Sequence, residues 1–208
     1  MDSQHCLPSL IWRHTLGRML EVLESPEVRR HVAPITITRY HRMIELGVFD
    51  EWPVELLSGV LVEKMSKSEL HVYLVKFLYQ ALAKFCAESQ WHVGKEDPIT
   101  IGDSEPEPDI SVIQGQLSDF RHAKPTTAQL VIEVAISSLA LDRAKARDYA
   151  KACVPEYWVV QPEAKTIEVY RHPIAGAYSE KMEVSAESTL ESTALPGFSF
   201  NLSAALAE

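Results

Sequence analysis

Apolar residues along this chain follow two rhythms, and the changes between them lay out its elements. Residues 9–25 carry Leu10, Ile11, Leu16, Met19, Leu20 and Leu23 at helical spacing before Ser25-Pro26 stops the run. A second short helix through Met43 and Ile44 is expected to start at Thr36 or Thr38 and to close at Gly47. Over 54–65 the pattern turns to strands, with two apolar stretches around Ser58-Gly59 that read as a β-hairpin. Helical spacing returns over 68–87, where Leu70, Leu74, Leu78, Leu82 and Phe85 draw one wide stripe beside Val75, Ala81 and Cys86.

Strands are expected next, over 91–93, 99–101, 109–113 and 130–136. The last of these is apolar on both alternations except at Glu133, the mark of a strand covered on both faces. A helix over 139–152 breaks at Val154-Pro155, and 157–160 pairs with 167–170 as a second hairpin. Leu195-Pro196-Gly197-Phe198 makes a turn before a small helix from about Ser203. Strands mixed with two substantial helices imply an α/β or α+β domain, a central mixed β-sheet flanked by helices. Residues 1–34 read as a helical extension and 35–208 as the domain itself.

Length and composition then narrow the setting. A chain of 208 residues can bury a core unaided by metals or disulfides. Its three cysteines, Cys6, Cys86 and Cys153, lack CxxC spacing, which points to reduced thiols in a cytoplasm. No apolar run reaches the length of a membrane span, and the stretch after Met1 lacks a signal peptide's layout, so no membrane partner is expected. The formal net charge of -9 counts against a broad basic face that holds nucleic acid by phosphate neutralisation alone. An enzyme that binds divalent cations must nevertheless concentrate carboxylates, and local Lys/Arg clusters still bind a backbone.

The candidate chemistry lies in the middle of the chain. Pro108-Asp109 opens one expected strand, Glu133 interrupts another, and Lys145 follows on the next helix. Two carboxylates on short buried strands plus one lysine are the minimum kit for magnesium-assisted cutting of a phosphodiester. Alternate strand residues share a face, so Asp109 aligns with Glu107 and Ser111, and Glu133 with Ala135. On neighbouring strands the two acids come within the span of one hard cation, Mg2+ or Mn2+, completed by a backbone carbonyl such as that of Val134 and by water. A lysine two residues after Glu133 is missing, since that position is Ala135. Asp142, Lys145 and Tyr149 fall on one side of the following helix, which lets the Lys145 ammonium reach the vacant place. There it would orient the attacking water or stabilise charge developing on the phosphate.

Each residue also has a structural reading. Asp109 beside a proline can cap a turn, and Glu133 can form a buried ion pair with Lys145 or Arg143. Lys145 can pair with Asp142 at the surface. His71 can be a helix-start or core histidine, and Glu55 and Glu63 the wet face of a hairpin. Tyr157 and Trp158 are expected in the core, and Glu105 and Glu107 in a solvated acidic loop.

Taken in order, residues 54–65, Pro108-Asp109-Ile110-Ser111-Val112, 130–137, Asp142-Arg143-Ala144-Lys145, Tyr149-Ala150, 154–160 and Leu195-Pro196-Gly197-Phe198 resemble the Uma2 family of endonucleases, formerly DUF820. That family lies in the PD-(D/E)xK nuclease superfamily, and the resemblance runs from about residue 35 to 206. It implies a restriction-endonuclease-like fold, with Asp109 and Glu133 as metal-binding acids and Lys145 as a lysine displaced to the following helix. It adds Glu55 as an extra acid from the first hairpin, with His71 and Tyr149 as accessory candidates. The implied activity is magnesium-dependent cleavage of DNA, and a homodimer is expected because cutting both strands of a duplex takes two sites. The alternative is a non-catalytic nucleic-acid or protein binding module that keeps the scaffold, which the acidic balance favours. Eight histidines without HxxxH or HxH spacing argue against a zinc hydrolase.

Overall fold

The computed structural model describes residues 24–207, so the helix expected over 9–25 lies almost wholly outside the described residues. Two compact units divide at Pro34 and Ile35. Within the first, a single turn, α1 (Pro26–Arg29), starts on its proline, whose missing N–H has no helical partner to lose. In the second, α2 (Ile37–Glu45) is capped by Thr36, whose hydroxyl accepts the Arg39 N–H. The hairpin of β1 (Val54–Leu57) and β2 (Val60–Glu63) follows, turning at Ser58-Gly59 with both residues at positive φ. Ser68 caps the long helix α3 (Glu69–Cys86).

Next come β3 (Trp91–Gly94), β4 (Ile110–Gln114), β5 (Leu130–Val134), α4 (Leu139–Lys151), β6 (Glu156–Gln161), β7 (Thr166–Ile174) and β8 (Ala177–Ser185). These six strands form one mixed sheet in the order β3-β4-β5-β6-β7-β8. All neighbours are antiparallel except β5 and β6, which run parallel because α4 carries the chain back across the sheet. A small pair, β9 (Thr189–Glu191) with β10 (Ser199–Asn201), and a last helix, α5 (Leu202–Ala207), complete the unit.

The expected mixed sheet flanked by helices is present, and the core explains its layering. Leu74, Leu78 and Leu82 of α3 pack on Val112, Leu130, Ile132, Val134 and Trp158. The opposite face holds Val131, Tyr157 and Val159 with Tyr149 of α4. Strands β5 and β6 are thereby covered on both sides, as the two-sided apolar run requires.

Two expectations need correcting. Residues 99–101 are not a strand: Ile99 and Ile101 are buried, but the chain folds back on itself at Gly102, with only an isolated bridge from Ile101 to Ser104. Conversely, the second hairpin extends past Tyr170 to a turn at Ala175-Gly176, both at positive φ, and returns as β8. The charged, mostly exposed residues of that edge strand conceal its pairing from any apolar pattern.

Glu156 explains the Glu-Tyr-Trp segment. It is fully buried, receives the Arg171 guanidinium at 2.8 and 3.0 Å and the Trp158 indole N–H at 2.9 Å, and accepts the Thr193 and Ala194 N–H groups. Burial pushes its carboxyl up, yet these donors hold it below the usual carboxylate range. It thus ties β6 and β7 to the turn before β10. Glu156→Ala strands Arg171 and is expected to cost about 3–5 kcal/mol in urea unfolding; a loss below about 1 kcal/mol would contradict this role.

Candidate active site

The β4–β5 register sets Ile110 opposite Ile132, so one step further Asp109 faces Glu133 where the ladder ends. Side chains take over the hydrogen bonding there. The Asp109 N–H donates to Glu133 Oε2 at 3.1 Å, and the Val134 N–H donates to Asp109 Oδ2 at 2.8 Å. The Glu96 N–H braces the same point from the β3–β4 connection, bonding the carbonyls of Pro108 and Asp109 at 3.1 and 3.2 Å. His71, on the first turn of α3, places Nε2 3.1 Å from Asp109 Oδ2, while its buried Nδ1 has no hydrogen-bond partner.

Helix α4 supplies the cation. Asp142, Lys145 and Tyr149 share its buried face, and Lys145 is the one buried basic side chain among the described residues. Its Nζ lies 2.9 Å from Glu55 Oε1, 3.1 Å from Glu133 Oε1 and 3.8 Å from Asp142 Oδ1. The Tyr149 hydroxyl donates to Glu133 Oε1 at 3.0 Å, and Ser138 donates to Asp142. Glu55 reaches Lys145 from β1, its other oxygen accepting the Glu107 N–H at 3.2 Å. Of the two partners open to Glu133, it takes Lys145; Arg143 turns away to Glu168.

Burial opposes charge on Lys145, but the fields of Glu133, Glu55 and Asp142 outweigh it and raise its pKa above the ordinary lysine value. For Glu133 the balance runs the other way. Burial raises its carboxyl well above the usual range, and the like charges of Asp109, Asp142 and Glu55 reinforce that against Lys145. Burial likewise lifts Asp142 from 3.8 to about 6, against the pull of Lys145 and Ser138.

These groups line an open cavity of about 220 Å3 walled by β1, the 64–68 connection, and the first turns of α3 and α4. Its lining holds six carboxylates (Glu55, Glu96, Glu107, Asp109, Glu133, Asp142) against three lysines and His71, an excess of negative charge that suits a cation. Among the described residues no cluster of three or more His, Cys, Asp or Glu side chains is arranged to hold a metal ion. Magnesium is satisfied by one or two carboxylates with water, so the donor set of Asp109 and Glu133 fits it.

The structure therefore brings Asp109, Glu133, Lys145, Glu55, His71 and Tyr149 together. Residue pattern alone left Asp142 and Glu107 out of the site, although Asp142 shares the helix face of Lys145 and Glu107 the strand face of Asp109. Glu105 and Glu107 are not a solvated loop. Glu105 is buried and bonded by Lys124, His41 and Thr100, and half-buried Glu107 pairs with Lys64 at the cavity.

Comparison with known proteins gives a consistent picture. The model of the Uma2 family, described as "Putative restriction endonuclease", matches residues 37–205. A crystal structure from Anabaena variabilis, described as a putative nuclease belonging to DUF820, is similar with a TM-score of 0.63 at 16% sequence identity, covering 76% of this chain and 91% of its own. That likeness is one of fold. No curated protein matches the chain, and among the described residues no helix is long and apolar enough to cross a membrane.

Because Asp142 binds its proton more tightly in the folded chain than in the unfolded one, its stabilising contribution is present below pH 3.8 and is lost as pH rises through about 6. In metal-free buffer the wild type is expected to lose stability relative to Asp142→Asn between those limits, read as the difference in denaturant midpoints. Parallel pH curves for the two proteins would refute the assignment.

Proposed function

The chain belongs to the Uma2 family, and on that premise we propose that it is a magnesium- or manganese-dependent endonuclease that hydrolyses phosphodiesters in DNA. The observation that carries the reading is the Lys145 ammonium, 3.1 Å from Glu133 and 2.9 Å from Glu55, at the edge where Asp109 faces Glu133. Asp109 and Glu133 would hold the ion, with the carbonyl of Val134, the residue whose N–H already meets Asp109. Such an ion would supply water activation and neutralisation of the charge that develops on the phosphate.

The protein groups divide the remaining work. Lys145, kept charged by three acids, orients the attacking water or stabilises a phosphate oxygen. Tyr149 and Glu55 are positioning residues, fixing Glu133 and the ammonium through the bonds they make. His71 holds Asp109 in the rotamer that also accepts the Val134 N–H. Two copies, one per strand, would cut a duplex in the cytoplasm. The second reading, a binding module on a nuclease scaffold, is favoured by Lys145 being wholly engaged by carboxylates.

Asp109→Asn, Glu133→Gln and Lys145→Met are each expected to slow Mg2+-dependent plasmid nicking by about 100-fold or more while circular dichroism stays native. Nicking that persists unchanged in all three would sink the assignment. A separate measurement needs no turnover: millimolar Mg2+ should raise the thermal midpoint of the wild type but not of Asp109→Asn. Equal shifts in both would place the cation elsewhere.

A further inference from the structure

The cavity mouth carries charges that the reaction chemistry leaves unused. The connection between β2 and α3 contributes Lys64 and Lys67 to the lining, and Lys95 follows directly after β3. Each is held by a carboxylate of the same rim. Lys64 pairs with Glu107, Lys67 Nζ lies 2.9 Å from Glu96 Oε2, and Lys95 Nζ 3.4 Å from Glu96 Oε1. Side chains of the Lys67–Glu96 pair are 39% and 37% exposed, whereas that of Lys145 is 6% exposed.

That contrast separates the two kinds of pair. Lys145 is enclosed by acids it cannot leave without stranding them. An ion pair as exposed as Lys67–Glu96 contributes only about 0–1 kcal/mol, so a competing anion displaces it readily. Glu96 is nevertheless held in place. Its backbone adopts a left-handed φ of 59°, rare for a side-chain-bearing residue, and its N–H clamps the carbonyls of Pro108 and Asp109. The carboxylate that meets Lys67 is thereby tied to Pro108-Asp109, the residues that lead into β4.

A polyanion approaching a chain of net charge -9, toward a cavity lined by six carboxylates, needs cations at the entrance. Of the three lysines in the lining, the two outside the buried cluster are Lys64 and Lys67. We propose that Lys64 and Lys67 grip the nucleic-acid backbone beside the scissile phosphate, and that Glu107 and Glu96 occupy them in place of phosphates until substrate enters. This rests on the endonuclease reading above. Substrate binding is then an exchange of partners, carboxylate for phosphate, on lysines already aimed at the site.

Steady-state cleavage of a DNA duplex in Mg2+ at several salt concentrations tests the exchange. The double variant Lys64→Ala/Lys67→Ala should raise KM about tenfold with kcat nearly unchanged, and should flatten the plot of log(kcat/KM) against log[salt] by about two phosphate contacts. Glu96→Gln, which frees Lys67, should lower KM about threefold. Thermal melting confirms that each variant is folded, as loss of the exposed Lys67–Glu96 pair and the half-buried Lys64–Glu107 pair allows. If the wild type cleaves while the double variant keeps its KM and salt slope, the lysine assignment falls and the endonuclease reading stands. A Glu96→Gln KM that is unchanged or higher overturns the occupancy by Glu96. A wild type that cleaves no DNA brings down both.

Discussion

Taking an ammonium ion out of water costs several kcal/mol, and Lys145 meets that cost because Glu55, Glu133 and Asp142 reach it from a hairpin, a central strand and its own helix. The arrangement is mutual. Removing Lys145 would leave three buried acids facing one another, so the β1–β2 hairpin, β5 and α4 meet through a shared electrostatic requirement as well as by apolar packing. The fold serves that junction directly. The parallel β5-α4-β6 crossover sets α4 over the sheet face to which Glu133 points, and Tyr157 fixes the helix start by donating to the Asp142 carbonyl at 2.8 Å.

Other buried acids show how the same residue type behaves as scaffold. Glu168 meets Arg143, Lys181 and Tyr170; although burial pushes its carboxyl up, these partners bring it down to about 2. Glu105, bonded by Lys124, His41 and Thr100, is likewise lowered. In each case donors and cations match the charge. At the cavity they do not: burial raises Glu133 and Asp142, the like charges of neighbouring acids add to it, and the one ammonium does not offset both. The sign of the shift therefore marks where burial and neighbouring acids together exceed what the protein's own donors and cations offset, and six carboxylates around one cavity suit a site that takes up a cation.

Much of the site could be read before folding was considered, because strand and helix periodicities are local. Glu133 stands out as the lone acid in a run apolar on both alternations, and Lys145 shares a helix face with Asp142 and Tyr149. Glu55 was ambiguous, since a hairpin acid alternating with apolar neighbours looks the same whether its face is wet or covered. Residues 99–101 imitate a strand because burial, not pairing, selects their side chains. Strand β8 leaves no apolar pattern for the opposite reason: an edge strand is held by backbone bonds, which leave its side chains free to be polar.

The sequence by itself determined the two-sided sheet, the helix phases, and the face on which each acid and the lysine would lie, since these follow from spacings of two and 3.6 residues. Only the tertiary structure decided that Asp109 stands opposite Glu133, that the Lys145 ammonium meets Glu133, and that Glu55 rather than bulk water completes its surroundings. The reason is physical. Periodicity fixes the direction of a side chain relative to its own element, whereas the meeting of four elements at one point depends on strand register, crossover and the balance of buried charges.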